Sequence, residues 1–271
     1  MDEMLSALVE RLTHRSIKST NVIPWSCPVP SFGDYSRATV ATLGLNPSNR
    51  EFVDESGKEL DGSNRRLHTL RSLGLARWRE AEPDHLRKIE ECCRGYFLRN
   101  PYNGWFRSLD QILAGAKVSY YGGTAPACHL DLIPFATRCK WTELAATQRT
   151  LLLSCSGNTL GVLLRNSQIR MIVLNGQTVV DNLQRVTGME FDKIRMNKWT
   201  LPRKNGDGIV GLAYRGTVQT LCGVDLGRSI LVLGYNHNIQ SSFGVTTAVK
   251  NAIRDWIAVA SYEVIDEAQR H

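Results

Sequence analysis

The residues of this chain best suited to chemistry lie in a few short polar segments. Asn46 stands in Gly44-Leu45-Asn46-Pro47-Ser48, directly after the apolar run Ala41-Thr42-Leu43. A run that stops this way reads as a buried strand entering a tight loop, with one amide presented at the strand's carboxyl end. Near the other end of the chain, Gly234-Tyr235-Asn236-His237-Asn238 follows a second apolar run in the same manner. A third candidate, Asp131, lies in His129-Leu130-Asp131-Leu132-Ile133-Pro134. An amide orients water by hydrogen bonds, a carboxylate accepts from amino groups, and histidine changes charge near neutral pH. In open α/β sheets ligands gather at the carboxyl ends of strands. The pattern therefore predicts one site assembled from distant loops.

Positioning such groups requires a scaffold. Four apolar runs, at 37–45, 129–134, 169–174 and 230–233, read as strands. Helical spacing separates them, at 64–73, 84–97, 105–113 and 141–164, the last with a break near Gly157. A further helix opens at Asn175-Gly176-Gln177. A closing helix over 246–262 carries Val249, Ile253, Ile257 and Ala260 on one face. Residues 51–63 read as a polar loop, and the Gly-rich stretch 198–221 as a hairpin insertion. Alternating strands and helices predict an α/β fold: a three-layer α/β/α sandwich around a central, mainly parallel four-stranded sheet. The simplest division is an N-terminal helix and loop extension over 1–36, followed by one domain over 37–271.

The chain has 271 residues, 42% hydrophobic and 22% charged, which excludes a disordered polyampholyte and allows a sizeable core. The net charge of +7 permits a polyanion partner without requiring one. Seven cysteines at 27, 92, 93, 128, 139, 155 and 222 include no Cys-x-x-Cys pair, so no metal site is expected. An odd cysteine count with no secretory signal predicts a reducing cytoplasm. No apolar run approaches a membrane span.

Gly44-Leu45-Asn46-Pro47-Ser48 resembles the first motif of the uracil-DNA glycosylase superfamily. It is nearest the mismatch-specific uracil and thymine glycosylases, where that motif reads Gly-Ile-Asn-Pro-Gly. Asn64-Arg65 resembles the Asn-Arg pair that opens the next helix there, and 235–241 resembles the second motif, Asn-Pro-Ser-Gly-Leu-Ser. The order agrees over roughly 37–260. The resemblance implies base flipping and hydrolysis of the sugar–base bond, with no metal or cofactor. It places Asn46 at the water-positioning site and Asn236 against the base or sugar. His237 replaces the motif's proline; it is either a donor to the departing base oxygen or a loop histidine. Ile239 or Gln240 falls where a side chain fills the gap left by the flipped base. Ser241 and Ser242 would bind phosphate or cap the helix, and Arg65 is placed on the DNA.

Two positions speak to the base. Strict uracil enzymes carry a bulky Tyr where this chain has Ser48, so a wall against 5-substituents is missing. Asp131 aligns with the Asn that reads uracil. An ionised carboxylate cannot donate to a carbonyl but accepts from the exocyclic amino group of cytosine. Removal of plain cytosine would destroy the host genome, so a modified cytosine is expected. Hydroxymethylated or glucosylated cytosine of phage DNA fits, as in anti-phage glycosylases of the superfamily. Phe52 is a candidate to stack on the base. Arg50, Arg66, Lys198, Arg203 and Lys204 are candidates for the DNA backbone, with Trp199 and Tyr214 as stacking partners. The expected protein is a monomeric, cytoplasmic DNA glycosylase that needs no membrane. The alternatives are a uracil or mismatch repair glycosylase and a catalytically silent nucleic-acid-binding domain.

Overall fold

The computed structural model describes residues 2–122, 125–203, 206, 208–240 and 242–262. Its strands are β1 (Val40–Gly44), β2 (Ala127–Asp131), β3 (Met171–Asn175), β4 (Asp192–Leu201), β5 (Ile209–Leu221) and β6 (Val224–Tyr235). Its helices are α1 (Asp2–Thr13), α2 (Leu70–Leu73), α3 (Pro83–Arg94), α4 (Asn103–Leu113), α5 (Ala146–Ser156), α6 (Thr159–Arg165), α7 (Gln177–Thr187) and α8 (Thr247–Ala260). The fold is α/β. The chain divides into two compact units, one of Met1–Asp34, Leu45–Tyr102 and Leu130–Leu160, the other of Tyr35–Gly44, Asn103–His129 and Gly161–His271.

The second unit holds the sheet, in the order β2-β1-β3-β6-β5-β4; only the last two residues of β2 fall in the first unit. β1 and β6 each pair parallel with β3, while β5 runs antiparallel to both β6 and β4. The sheet is thus six-stranded and mixed, where four mainly parallel strands were expected. β1 and β3 are buried at every residue, which is why they read as uninterrupted apolar runs. β4 begins Asp192-Lys193-Ile194-Arg195 and is exposed over most of its length. Its only apolar alternation is the short Ile194/Met196 pair among charged and polar residues, and Ile194 is 44% exposed, so its first half escaped the hydrophobic pattern. β5 and β6 are long partners joined at Cys222-Gly223, and the run at 230–233 is only the buried half of β6.

Parallel registry aligns Leu43 with Leu174 and Asn175 with Tyr235. The carboxyl ends of β1, β3 and β6 therefore share one edge of the sheet. α7 starts immediately after β3, where Gly176 adopts φ 101°. α8 is capped by Thr246, whose hydroxyl accepts from Val249 N–H at 3.3 Å, and buries Val249, Ile253, Ile257 and Ala260. Full burial of each aliphatic side chain contributes about 1.5–3 kcal/mol. The long helical stretch of the first unit breaks where expected: α5 ends at Gly157, φ 55°.

In the first unit, α1 packs on α3 and on the turn Trp78–Glu80. The loop after β1 is laced to the loop after β2. Ile133 N–H donates to Leu45 O at 2.9 Å, and Val29 and Ile23 N–H groups donate to Pro134 O and Ala136 O at 2.8 and 2.9 Å. No helix among the described residues is long and apolar enough to cross a membrane.

Candidate functional site

Asn46 lies in the first unit, just beyond the laced position at Leu45. A 3₁₀ turn, Asn49–Glu51, closes its loop, and Ser48 caps that turn by accepting from Arg50 N–H at 3.1 Å. Asn46 is half-buried. Its amide nitrogen donates to Pro47 O at 3.1 Å, to Thr137 Oγ1 at 3.0 Å and, more weakly, to Phe135 O at 3.5 Å. Thr137 gives its own hydroxyl hydrogen to Cys139 O at 2.8 Å. All three neighbours can only accept, so the amide nitrogen must face them and Oδ1 must turn away. Among the described residues Asn46 Oδ1 has no hydrogen-bond partner.

An open pocket of about 350 Å³ is lined by Asn46, Pro47, Ser48 and Asn49 and by residues that follow β2, among them Thr137, Arg138, Lys140 and Glu143. The structure thus brings Asn46 and Ser48 together. Ser48 is exposed and presents no bulk. Arg138 and Lys140 are exposed cations on the same pocket. Sequence reasoning passed over them, although basic residues soon after a strand end were a usable signal.

Asp131 and Phe52 do not line that pocket. Phe52 is 1% exposed and meets the Trp25 ring edge-on at 6.2 Å. It is a core side chain with no face open for stacking, because its flanking loop folds inward on apolar contacts. Asp131 is buried at the end of β2, and its negative charge is felt at a second buried carboxyl, Glu51. Burial pushes Glu51 from 4.5 up to about 7, and Asp131 adds to the rise; a hydrogen bond from Tyr96 and the charge of Arg66 oppose it. Tyr96 Oη donates to Glu51 Oε2 at 2.6 Å and accepts from Tyr102 N–H at 2.8 Å. Arg66 donates to Arg50 O at 2.8 Å and lies over the Tyr102 ring, while its buried Nε has no partner among the described residues. Glu51 was missed because a Glu inside a polar stretch reads as solvated; its burial is a tertiary fact.

Arg65 is half-buried in a separate cavity of about 320 Å³ beside Glu59, Asp61 and Arg71. Its charge, after burial, helps to depress His68 to about 4. Arg50 is paired with Glu55 at 3.1 Å.

The second unit holds the loop after β6, where several expectations need correction. Asn236 Oδ1 accepts from Leu212 N–H at 2.9 Å, and its Nδ2 donates to Val210 O at 2.8 Å. The side chain thus acts as an extra rung between β6 and β5, with both amide atoms already engaged. His237 is buried, with Nε2 2.7 Å from Trp199 O. A carbonyl only accepts, so Nε2 carries the hydrogen and is committed there. Burial also lowers the His237 pKa, which favours the neutral ring. It is a structural loop histidine, not a free donor. Ile239 is buried, its N–H donating to Asn175 Oδ1 at 3.2 Å. Gln240 accepts from Asn175 Nδ2 at 2.8 Å and donates to Trp105 O at 3.2 Å. Neither projects as a wedge, because Asn175 holds both inward.

Ser242 is half-buried and donates its N–H to Asn238 O at 2.8 Å. The helix cap is Thr246, so Ser242 does not enter the helix. Ser241 and Lys204 lie outside the described residues. Phe243, by contrast, is 77% exposed, with the Arg203 guanidinium over its ring at 5.5 Å. A lone Phe between serine and glycine was its signal. Trp199 is fully buried against Trp256, and Tyr214 is buried and donates to Gln177 Oε1 at 2.7 Å, so both pack the unit. Lys198 is exposed.

Among the described residues no group of three or more His, Cys, Asp or Glu is placed to hold a metal ion. No protein-family model and no curated protein matches this chain.

Proposed function

We propose that this protein is a DNA glycosylase. It flips a modified pyrimidine out of the stack and hydrolyses its bond to the sugar, leaving an abasic site. The preferred base is a 5-substituted cytosine such as glucosylated hydroxymethylcytosine of phage DNA. In this reading the α/β fold is the three-layer α/β/α arrangement of the uracil-DNA glycosylase superfamily.

The observation that carries the reading is Asn46. Its nitrogen is fixed by acceptors, and Oδ1 has no partner among the described residues, on a residue that lines a pocket with Arg138 and Lys140. An amide oxygen held this way orients a water by accepting its hydrogen without deprotonating it. The rate then comes from positioning and from stabilisation of a cation-like sugar. Arg138 and Lys140 suit flanking phosphates. Ser48 leaves room for a 5-substituent, and the preference for cytosine rests on the place Asp131 takes in the motif order, at the buried end of β2.

The test is incubation with DNA containing cytosine, hydroxymethylcytosine, glucosylated hydroxymethylcytosine or uracil, scored as alkali-labile sites. Excision of the modified cytosines alone is expected. Cleavage only at uracil would sink the substrate assignment and favour a repair enzyme. A second reading, a binding domain without catalysis, draws on the internally bonded side chains of Asn236, His237 and Gln240. DNA binding with no abasic sites on any substrate would favour it.

A further inference from the structure

At the amino ends of the parallel strands, opposite the carboxyl edge, a short turn joins α6 to β3. It reads Arg165-Asn166-Ser167-Gln168-Ile169-Arg170, and no Asp or Glu occurs between Glu143 and Asp181. Arg165, Asn166, Gln168 and Arg170 are exposed, while Ile169 is buried. The turn is pinned from within by Arg228. Its guanidinium donates to Leu164 O and Ser167 O at 2.7 Å each, and to Ile169 O at 3.0 and 3.1 Å. Ser167 Oγ adds a bond to Leu164 O at 2.8 Å. Arg170 N–H donates to Thr39 O at 2.8 Å, which sets the turn beside the approach to β1, where Arg37 is exposed. Arg170 O in turn accepts from Leu231 N–H of β6 at 2.9 Å. Arg37, Arg165, Arg170 and Arg228 therefore flank the amino ends of β1 and β3, all within the second unit. Among the described residues none of the four forms an ion pair, and the side chains of Arg37, Arg165 and Arg170 have no hydrogen-bond partner. Asp225, three residues before Arg228, is exposed and accepts from Gly227 N–H at 2.9 Å within its own turn.

We propose that this amino edge of the sheet is a docking surface for a nucleic-acid backbone. The inference goes beyond the glycosylase reading and does not depend on its chemistry. Guanidinium groups gathered without carboxylates repel one another, and a polyanion relieves that repulsion. Their planar forks match phosphate oxygens two bonds at a time. Asn166 and Gln168 stand between Arg165 and Arg170, and their amides both donate and accept, which suits the sugars and base edges between phosphates. The exposed large apolar side chains of the described residues lie elsewhere, so this turn offers nothing to insert into a lipid surface. Arg228 is the positioning residue. By holding three carbonyls of the turn it presents Arg165 and Arg170 at a reduced ordering cost on binding.

Fluorescence-anisotropy titration of an unmodified DNA duplex at rising salt tests the surface. A protein carrying Arg37→Gln, Arg165→Gln and Arg170→Gln loses three exposed charges and keeps the Arg228 bonds. Its duplex affinity should fall roughly tenfold or more at about 100 mM salt, and the magnitude of its log–log salt slope by about 3, one for each phosphate released. Arg165→Lys with Arg170→Lys keeps the charge and should keep the slope. Circular dichroism checks folding; should the triple variant fail to fold, Arg165→Gln with Arg170→Gln decides, with a slope lower by about 2. Wild-type affinity and slope in the folded Gln variants overturn the surface and leave the glycosylase reading standing. Sedimentation with phosphatidylserine vesicles is the second arm. Vesicle binding that the Gln substitutions abolish, with an unchanged DNA slope, overturns the nucleic-acid assignment in favour of a membrane. A wild-type protein that shows the expected losses on duplex DNA but excises no base keeps the surface and removes the glycosylase reading.

Discussion

At the scale of single residues, function and stability separate by which polar atoms are already committed. Asn46 has its nitrogen anchored and its oxygen unpartnered among the described residues, whereas Asn236 has both amide atoms bonded to β5. Asn46→Ala should slow single-turnover excision roughly 100- to 1,000-fold. DNA affinity in a filter-binding titration should change little, and equal losses in both would mark Asn46 as structural. Glu51 also has a stability signature. Its folded pKa lies near 7, above the ordinary 4.5, so the folded state binds the extra proton. The stabilisation is complete below pH 4.5, is lost progressively as pH rises through 7, and is absent above that. Its size is at most about 3 kcal/mol. Urea denaturation should show wild type losing stability relative to Glu51→Gln across that window; parallel curves would contradict the raised pKa. Asn46 was legible in the sequence because the residues around it mark a strand end. Glu51 was not, because nothing local distinguishes a buried Glu from a solvated one.

At the scale of elements, the loop after β6 is a clamp built on Asn175 and Gly176. Asn175 bonds Ile239 and Gln240, and a Cβ on Gly176 would lie 3.3 Å from Asn238 Cβ at φ 101°. Gly176→Ala should cost about 1–3 kcal/mol, since only glycine adopts that conformation without strain. Thermal denaturation should record it as a fall in Tm of about 2–4 °C per kcal/mol. Asn236→Ala leaves Leu212 N–H and Val210 O without their partner, at roughly 1–3 kcal/mol each. An Asn236→Ala protein of unchanged Tm but reduced excision would assign Asn236 a catalytic role instead of a structural one. The β1 and β3 cores and the Gly157 break were readable, because burial and glycine leave local marks. β4 was half missed, because its exposed first half buries too little apolar surface to stand out from the charged residues around it.

At the scale of the whole molecule, the charge of +7 gains meaning only from where cations stand. Arg138 and Lys140 line the Asn46 pocket, while Arg50 is paired with Glu55 and Arg71 with Asp61 at 2.8 Å. Affinity for duplex DNA should fall as salt rises. Arg138→Ala with Lys140→Ala should reduce the magnitude of the log–log salt slope by about 2, roughly 1 for each phosphate no longer neutralised. An unchanged slope would remove both residues from the interface.

The sequence by itself determined the α/β class, the buried strands, the position of Asn46 at the end of β1 and the small side chain at Ser48. Each follows from local pattern: continuous apolar runs, helical spacing and turn residues. Tertiary structure alone decided which polar atoms remain for a substrate. It turned Asn236, His237 and Gln240 inward as scaffold, buried Phe52, exposed Phe243 and placed Glu51 where Asp131 acts on it. The physical reason is that a side chain's chemistry depends on its hydrogen-bond partners and its access to water. Both are set by residues far away in the chain.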